Sequence, residues 1–237
     1  MTSFSQRLAA IQERILAACR QAGRGPEQVR LMAVSKVQPA EALLEALASG
    51  VTLFGENRVQ EYEMKRERLR DRRVDGVEVH LIGHLQSNKA AKAAELFDCI
   101  DSVDSLRLAE RLNEAAGKLG KILPILLEIK LSDEPTKSGL HPDGAETGAI
   151  LERLPNLQHL AMSGLMTIAP LDEDLETARA CFRRLRTLRD RWSADFSRLE
   201  FRELSMGMSG DFEIAIEEGS TLVRIGTALF GARPRLR

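Results

Sequence analysis

The chain has 237 residues, a length that fits one large domain or two small ones. Hydrophobic residues make up 43% of it, enough for a sizeable core, and charged residues make up 29% with a net charge of −1. This balance gives no support for nucleic-acid binding, and no apolar run is long enough to cross a membrane.

The N-terminal segment predicts an amphipathic helix that ends at the glycine-rich residues 23–26. Its apolar positions recur at helical spacing: Leu8, Ile11, Ile15, Ala18 and Cys19. Because Arg, Gln and Glu interrupt the first twenty residues, they do not form a signal peptide. The three cysteines are widely spaced and include no CxxC pair, so we expect buried thiols and a cytoplasmic protein.

Eight short apolar segments alternate with helical patterns along the rest of the chain. The predicted strands are residues 30–35, 51–54, 77–82, 97–100, 122–129, 157–162, 199–204 and 221–224. One helix shows an apolar face at Leu175, Ala178, Phe182, Leu185, Leu188 and Trp192. Another is expected to begin after Ser105, a good N-cap, and to end before Gly120.

Eight strand–helix units in about this length predict a (β/α)8 barrel of the TIM type, for which roughly 250 residues is typical. The extra N-terminal helix precedes the barrel, and residues 1–237 are expected to form a single domain. A doubly wound open sheet is the alternative, and it is disfavoured because no GxGxxG motif follows the first strand.

In such a barrel, functional side chains lie where strands end. Lys36 follows the first strand directly, where a low dielectric would lower the lysine pKa and favour the neutral amine that Schiff-base chemistry needs. Taken alone, an ordinary strand-end lysine is the commoner interpretation. Asn57 follows the second strand as a potential N-cap or ligand-binding residue. His80 and His84 lack a third nearby ligand, so no metal site is predicted.

The loops after the last two predicted strands are rich in glycine and hydroxyl groups, which suits a phosphate. Ser209, Gly226 and Thr227 are the candidate phosphate-binding residues. A phosphate site combined with a lysine at the barrel mouth fits either an aldolase-like enzyme or a pyridoxal phosphate protein. Arg224 favours the second, because an arginine can bind the pyridine nitrogen of this vitamin B6 cofactor.

Motifs in nearly the whole chain closely resemble the pyridoxal phosphate homeostasis protein family, which is similar in fold to the barrel domain of bacterial alanine racemases. The matching segments, in chain order, are AVSK (33–36), FGEN (54–57) with VQE (59–61), IGHLQSNK (82–89), SDEPTKSG (132–139), GLM (164–166), SMGMS (205–209) and VRIGT (223–227) with Phe230 and Gly231. The departures are Gln38, where members often have a basic residue, and Arg58, where they often have Tyr.

The resemblance implies a role for each candidate site residue. Lys36 would hold pyridoxal 5′-phosphate as a Schiff base, while Asn57, His84 and Met166 would lie around the ring or the cavity mouth. The remaining implied anchors are Ser209, Gly226 and Thr227 for the phosphate and Arg224 for the ring nitrogen. A retained lysine, Lys137, is a hypothetical secondary acceptor of the cofactor.

The implied function is intracellular buffering or delivery of pyridoxal phosphate, with no catalytic residue assigned. Recipients would be enzymes that depend on this cofactor, and the protein is expected to be a monomer. A racemase needs a second acid–base group, usually a tyrosine, whereas the only tyrosine here, Tyr62, is predicted on a helix. A related enzyme of low activity is the alternative.

Overall fold

A computed structural model describes residues 2–69, 76–132, 134, 138–170, 172 and 174–231. Within these residues the chain forms eight strands and nine α-helices. The strands are β1 (Arg30–Val34), β2 (Leu53–Glu56), β3 (Glu78–Leu81), β4 (Cys99–Val103), β5 (Leu123–Glu128), β6 (Leu160–Met166), β7 (Glu203–Ser205) and β8 (Leu222–Ile225). The helices are α1 (Phe4–Gln21), α2 (Ala40–Ala48), α3 (Val59–Arg68), α4 (Ala90–Leu96), α5 (Leu106–Lys118), α6 (Ala145–Arg153), α7 (Leu175–Asp195), α8 (Phe212–Glu217) and α9 (Thr227–Phe230).

The eight strands pair in chain order, all in parallel, and β8 pairs with β1 to close the barrel. In that closing pair Met32 lies beside Arg224, so the polar end of β8 is set against the first strand. The predicted (β/α)8 barrel is confirmed. The open doubly wound alternative is wrong, because this sheet has no free edge.

The N-terminal helix α1 packs on the outside of the barrel against α8 and α9. Ser3 caps it in a capping box with Gln6, which satisfies two of the N–H groups exposed at a helix start. Its predicted apolar face is buried, and the Phe4 and Phe230 rings lie 5.3 Å apart. The expected extra helix therefore covers the seam where the chain closes.

On the outside of the barrel, apolar side chains of the strands pack against the helices in one continuous core. A smaller cluster of Met32, Leu53 and Leu222 fills the inside of the barrel. Two predicted helix ends are confirmed: Ser105 accepts a hydrogen bond from the Leu108 N–H, and Gly120 has a φ of +65° after α5. Among the described helices, none has the length and apolar character needed to cross a bilayer.

Several predicted boundaries are wrong. The sixth and seventh strands begin later, at Leu160 and Glu203, because the apolar residues before them pack as loops. Phe201, for example, packs its ring on Trp192 of α7 at 6.2 Å instead of joining the sheet. Leu175 was assigned to the buried face of its helix, but it opens α7 and is exposed.

Candidate functional site

A cavity of about 450 Å³ opens at the carboxyl ends of the strands, which is where barrel enzymes and binding proteins hold ligands. Its volume falls within the usual range for small-molecule sites. Seven of the eight sequence-predicted residues line this cavity: Lys36, Asn57, His84, Ser209, Arg224, Gly226 and Thr227. Residues that are far apart in the chain are therefore brought together around one volume.

Lys36 is half-buried in the cavity wall, directly after the buried end of β1. The Gln38 N–H donates to the Ser35 carbonyl at 3.0 Å, so residues 35–38 form a tight turn with Lys36 at its second position. The amine is thus carried by a short turn on a rigid strand.

The loops after β7 and β8, which are neighbouring strands, contribute Ser209, Gly226 and Thr227 to the cavity wall. Gly207 makes the first loop possible, because its φ is +95° and a Cβ there would lie 2.5 Å from the Cβ of Ala215. In the described part of the chain, no backbone hydrogen bond of this loop uses the Ser209 N–H. Such donors, together with two hydroxyl groups, are what a phosphate requires.

Arg224 is almost fully buried, and its guanidinium group is fixed from two sides. Nη1 donates to the Ser205 carbonyl at 2.5 Å and to its hydroxyl at 2.8 Å, and Nη2 donates to the Thr167 carbonyl at 2.8 Å. Burial lowers the pKa of Arg224, while the Asp101 and Glu128 carboxyl groups oppose this effect. A guanidinium has five N–H donors, so these three bonds leave two for a ligand.

A polar network inside the barrel continues from Arg224 toward the opposite end. The Ser205 hydroxyl lies 3.4 Å from Asp101 Oδ2, and Asp101 Oδ1 lies 2.8 Å from His80 Nδ1. His80 Nε2 is in turn 2.7 Å from Glu78 Oε1. Burial alone would lower the pKa of His80, but the charge of Asp101 and the hydrogen bonds raise it overall. With a carboxylate at each ring nitrogen, the imidazole is therefore doubly protonated.

The ligand atoms of His80, Cys99 and Asp101 lie within 4.8 Å of one another, a spacing that a metal ion could use. Both nitrogens of His80 are already engaged by carboxyl groups. Burial raises the pKa of Cys99 to about 12, which keeps the thiol protonated and a poor ligand. This cluster is a hydrogen-bonded core that supports Arg224.

Asn57 and His84 line the cavity from the segments after β2 and β3. The N-cap of α3 is Arg58, so the suggested capping role of Asn57 is wrong. Gly83 lies so close that an added Cβ would be 2.3 Å from the Asn57 carbonyl oxygen. His84 Nδ1 is 3.0 Å from Asp104, and its side chain remains largely exposed at the mouth.

Met166 is the one predicted site residue that does not line the cavity. It is fully buried inside the barrel, where it packs with Cys99 and Leu126. It pairs in register with Glu128 of β5, so it packs beside a residue of the cavity wall without lining the cavity itself. Lys137, the hypothetical secondary acceptor, lies outside the described residues.

Sequence reasoning missed Glu128 and Lys130, which also line the cavity at the end of β5. Burial raises the pKa of Glu128 to about 7, with a further contribution from the charge of Asp104, while Arg224 and His84 act in the opposite direction. A signal was present, since Glu128 is the one charged residue within the otherwise apolar residues 122–129.

Together these groups fit pyridoxal phosphate. One cavity of suitable size contains the three kinds of group that this cofactor needs. They are a half-buried primary amine, a pair of loops with donors for an anion, and a buried guanidinium group with remaining N–H groups. Among the described residues, the cavity wall carries Lys36, Lys130 and Arg224 against one buried carboxyl group, that of Glu128, which suits an anionic ligand.

The alanine racemase N-terminal domain family matches residues 6–234 of the chain. A pyridoxal phosphate homeostasis protein from Vibrio alginolyticus is 42% identical over 235 residues, which cover 98% of this chain and 99% of that relative. A protein with the same name from Escherichia coli strain K12 is 41% identical and covers 98% of both chains. Both are named as homeostasis proteins and not as enzymes.

Among solved structures, PipY of Synechococcus elongatus PCC7942 with PLP bound is 45% identical. It superposes with a TM-score of 0.82 over 93% of this chain and 100% of that chain. An alanine racemase from Clostridium difficile 630 is only 16% identical, with a TM-score of 0.70 over 94% of this chain and 57% of that one. The likeness to the racemase is therefore one of fold alone.

Proposed function

Because this chain belongs to the pyridoxal phosphate homeostasis protein family, we propose that it binds pyridoxal 5′-phosphate and buffers or delivers it within the cytoplasm. The observation that carries this proposal is the set of anchors around one cavity: Lys36, Arg224 and the Ser209, Gly226 and Thr227 loops. The PipY structure with PLP bound supports it from a relative whose whole chain aligns with 93% of this one.

Each anchor has a separate task in this proposal. Lys36 holds the cofactor as a Schiff base, since the bound cofactor supplies an aldehyde carbon that condenses with a primary amine. Ser209, Gly226 and Thr227 bind the phosphate. Arg224 donates to the pyridine nitrogen, and its permanent charge keeps that nitrogen unprotonated. An unprotonated ring is a weaker electron sink than a protonated one.

A carrier is favoured over an enzyme because the anchors are accompanied by a poor set of acid–base groups. Tyr62 of α3 packs on Phe97 at 5.0 Å and does not line the cavity, and burial raises its pKa to about 12. It therefore cannot act as the second base of a racemase. The alternative, an enzyme of low activity, is supported by Glu128. Its pKa of about 7 in the cavity wall suits a general acid or base.

The attachment of the cofactor is tested by adding pyridoxal phosphate to cofactor-free protein and following visible absorption. Lys36→Ala should abolish the absorption band, whereas Lys130→Ala, which removes the other lysine of the described cavity wall, should keep it. Borohydride reduction and peptide mapping should then find the label on Lys36. An unchanged band in Lys36→Ala would refute the assignment, and trapping by a phosphorylated sugar without any band would favour an aldolase.

Delivery and turnover need separate assays. Loaded protein is mixed with the cofactor-free form of a pyridoxal phosphate enzyme. If delivery is direct, that enzyme's activity should return faster than the rate at which the carrier releases free cofactor into solution. Robust racemisation of alanine or serine, lost in Glu128→Gln, would replace the carrier proposal by the enzymatic one. Light scattering checks the expected monomer.

A further inference from the structure

Val37, the residue directly after Lys36, has a strained backbone. Its φ is +64°, and no other non-glycine residue in the described part of the chain has a positive φ. For a β-branched residue this region is a genuine outlier. Val37 also occupies the third position of the 35–38 turn, which usually carries Gly or Asn when φ is positive there. Such a conformation persists only where the surroundings impose it.

A buried ionic cluster lies beneath this turn and joins α3 to the ends of β1 and β2. Lys65 Nζ donates to Glu56 Oε1 at 2.7 Å, to the Ser35 carbonyl at 2.8 Å, and pairs with Glu61 Oε1 at 2.8 Å. The Ser35 hydroxyl donates to the same Glu56 oxygen at 2.7 Å. Glu56 is fully buried and Lys65 is 6% exposed, so these bonds form in a low dielectric and are stiff.

Glu61 connects this cluster to the strained residue. Its Oε1 accepts the Val37 N–H as well as the ammonium group of Lys65. Glu61 therefore holds the peptide between Lys36 and Val37 by its N–H, and Lys65 holds the preceding peptide, between Ser35 and Lys36, by its carbonyl. If Glu61 released the N–H, Val37 could relax to negative φ, and the Lys36 side chain would leave β1 in another direction.

We propose that Glu61 and Lys65 are positioning residues that hold Lys36 in the direction required for cofactor attachment, acting through the backbone of Val37. This inference rests on the proposed function of Lys36. Neither residue lines the cavity, so each acts only through the turn. Lys65 fixes the Glu61 carboxyl group through their 2.8 Å ion pair, and Glu61 in turn sets the peptide.

The test follows the loading of cofactor-free protein with pyridoxal phosphate, by visible absorption and by the fraction of Lys36 trapped with borohydride. Glu61→Ala should load about tenfold more slowly or more weakly, since strain at such positions is worth on the order of one tenfold step or more. Glu61→Gln keeps an oxygen that accepts the Val37 N–H and should retain most of the loading. The matched control is Glu67→Ala, an exposed glutamate of the same helix.

A second variant separates positioning from simple destabilisation. Glycine adopts positive φ without strain, so Val37→Gly placed in the Glu61→Ala protein should restore loading, although it adds no contact. Thermal melting of the cofactor-free variants shows whether they are folded under assay conditions. Two results would overturn the proposal. One is that the Glu61→Ala protein loads as well as the Glu67→Ala protein does. The other is a loss of loading in folded Glu61→Ala protein that adding Val37→Gly does not reduce.

The wild-type measurement distinguishes the two proposals. If borohydride does not label Lys36 in the wild-type protein, the proposed function of Lys36 fails. If Lys36 is labelled and Glu61→Ala behaves as its control does, only the positioning role fails.

Discussion

Replacing Glu128 by glutamine should stabilise the cofactor-free protein above neutral pH and leave it unchanged in acid. Glu128 is 7% exposed in the cavity wall, and burial raises its pKa from 4.5 to about 7. The folded state therefore binds a proton more tightly than the unfolded state does. Stability from this group is fully present below pH 4.5 and is lost as the pH rises toward about 7.

The size of the effect follows from the same two values. Each pH unit between 4.5 and about 7 lowers the free energy of unfolding by about 1.4 kcal/mol. Ionisation of Glu128 therefore lowers the stability of the fold by up to roughly 3 kcal/mol. Glutamine has the same shape and does not ionise. The stability difference between Glu128→Gln and the wild type should consequently grow between pH 4.5 and pH 8.

Urea unfolding at several pH values measures this difference. Trp192 is the only tryptophan and is buried in α7, so its fluorescence reports the loss of the fold. Glu152→Gln, at an exposed position of α6, is the matched control and should track the wild type. A Glu128→Gln protein whose stability difference stays constant across this pH range would refute the buried, ionisable character assigned to Glu128.

Three further changes probe the scaffold of the site. Ser205→Ala removes the hydroxyl between Arg224 and Asp101, and urea unfolding should show a loss of about 1–3 kcal/mol, whereas no loss would contradict the network. Gly207→Ala places a Cβ 2.5 Å from the methyl group of Ala215, at a position where φ is positive. Calorimetry should therefore show a clearly lower Tm than for the control Gly210→Ala, where the added Cβ meets nothing within 4 Å. A thiol reagent should leave the three buried cysteines unmodified in the native protein and modify them after denaturation, and rapid native labelling would disprove their burial.

Local patterns were sufficient to predict most of the architecture. The helical spacing of α1, the Ser105 cap and the alternation of apolar runs with helices specify a barrel, because each depends only on neighbouring residues and backbone periodicity. Strand bounds were less accurate where buried side chains such as Phe201 pack from loops, since burial alone does not distinguish a loop from a strand.

The residue pattern alone predicts the (β/α)8 order, the lysine after β1 and the glycine-rich loops after β7 and β8. The folded chain was needed to see that Glu128 enters the cavity, that Met166 does not line it, and that Asp101 supports Arg224 through Ser205. These contacts join strands that are distant in the chain, and barrel closure sets their register. Sequence spacing carries no information on which side chains then meet across the barrel axis.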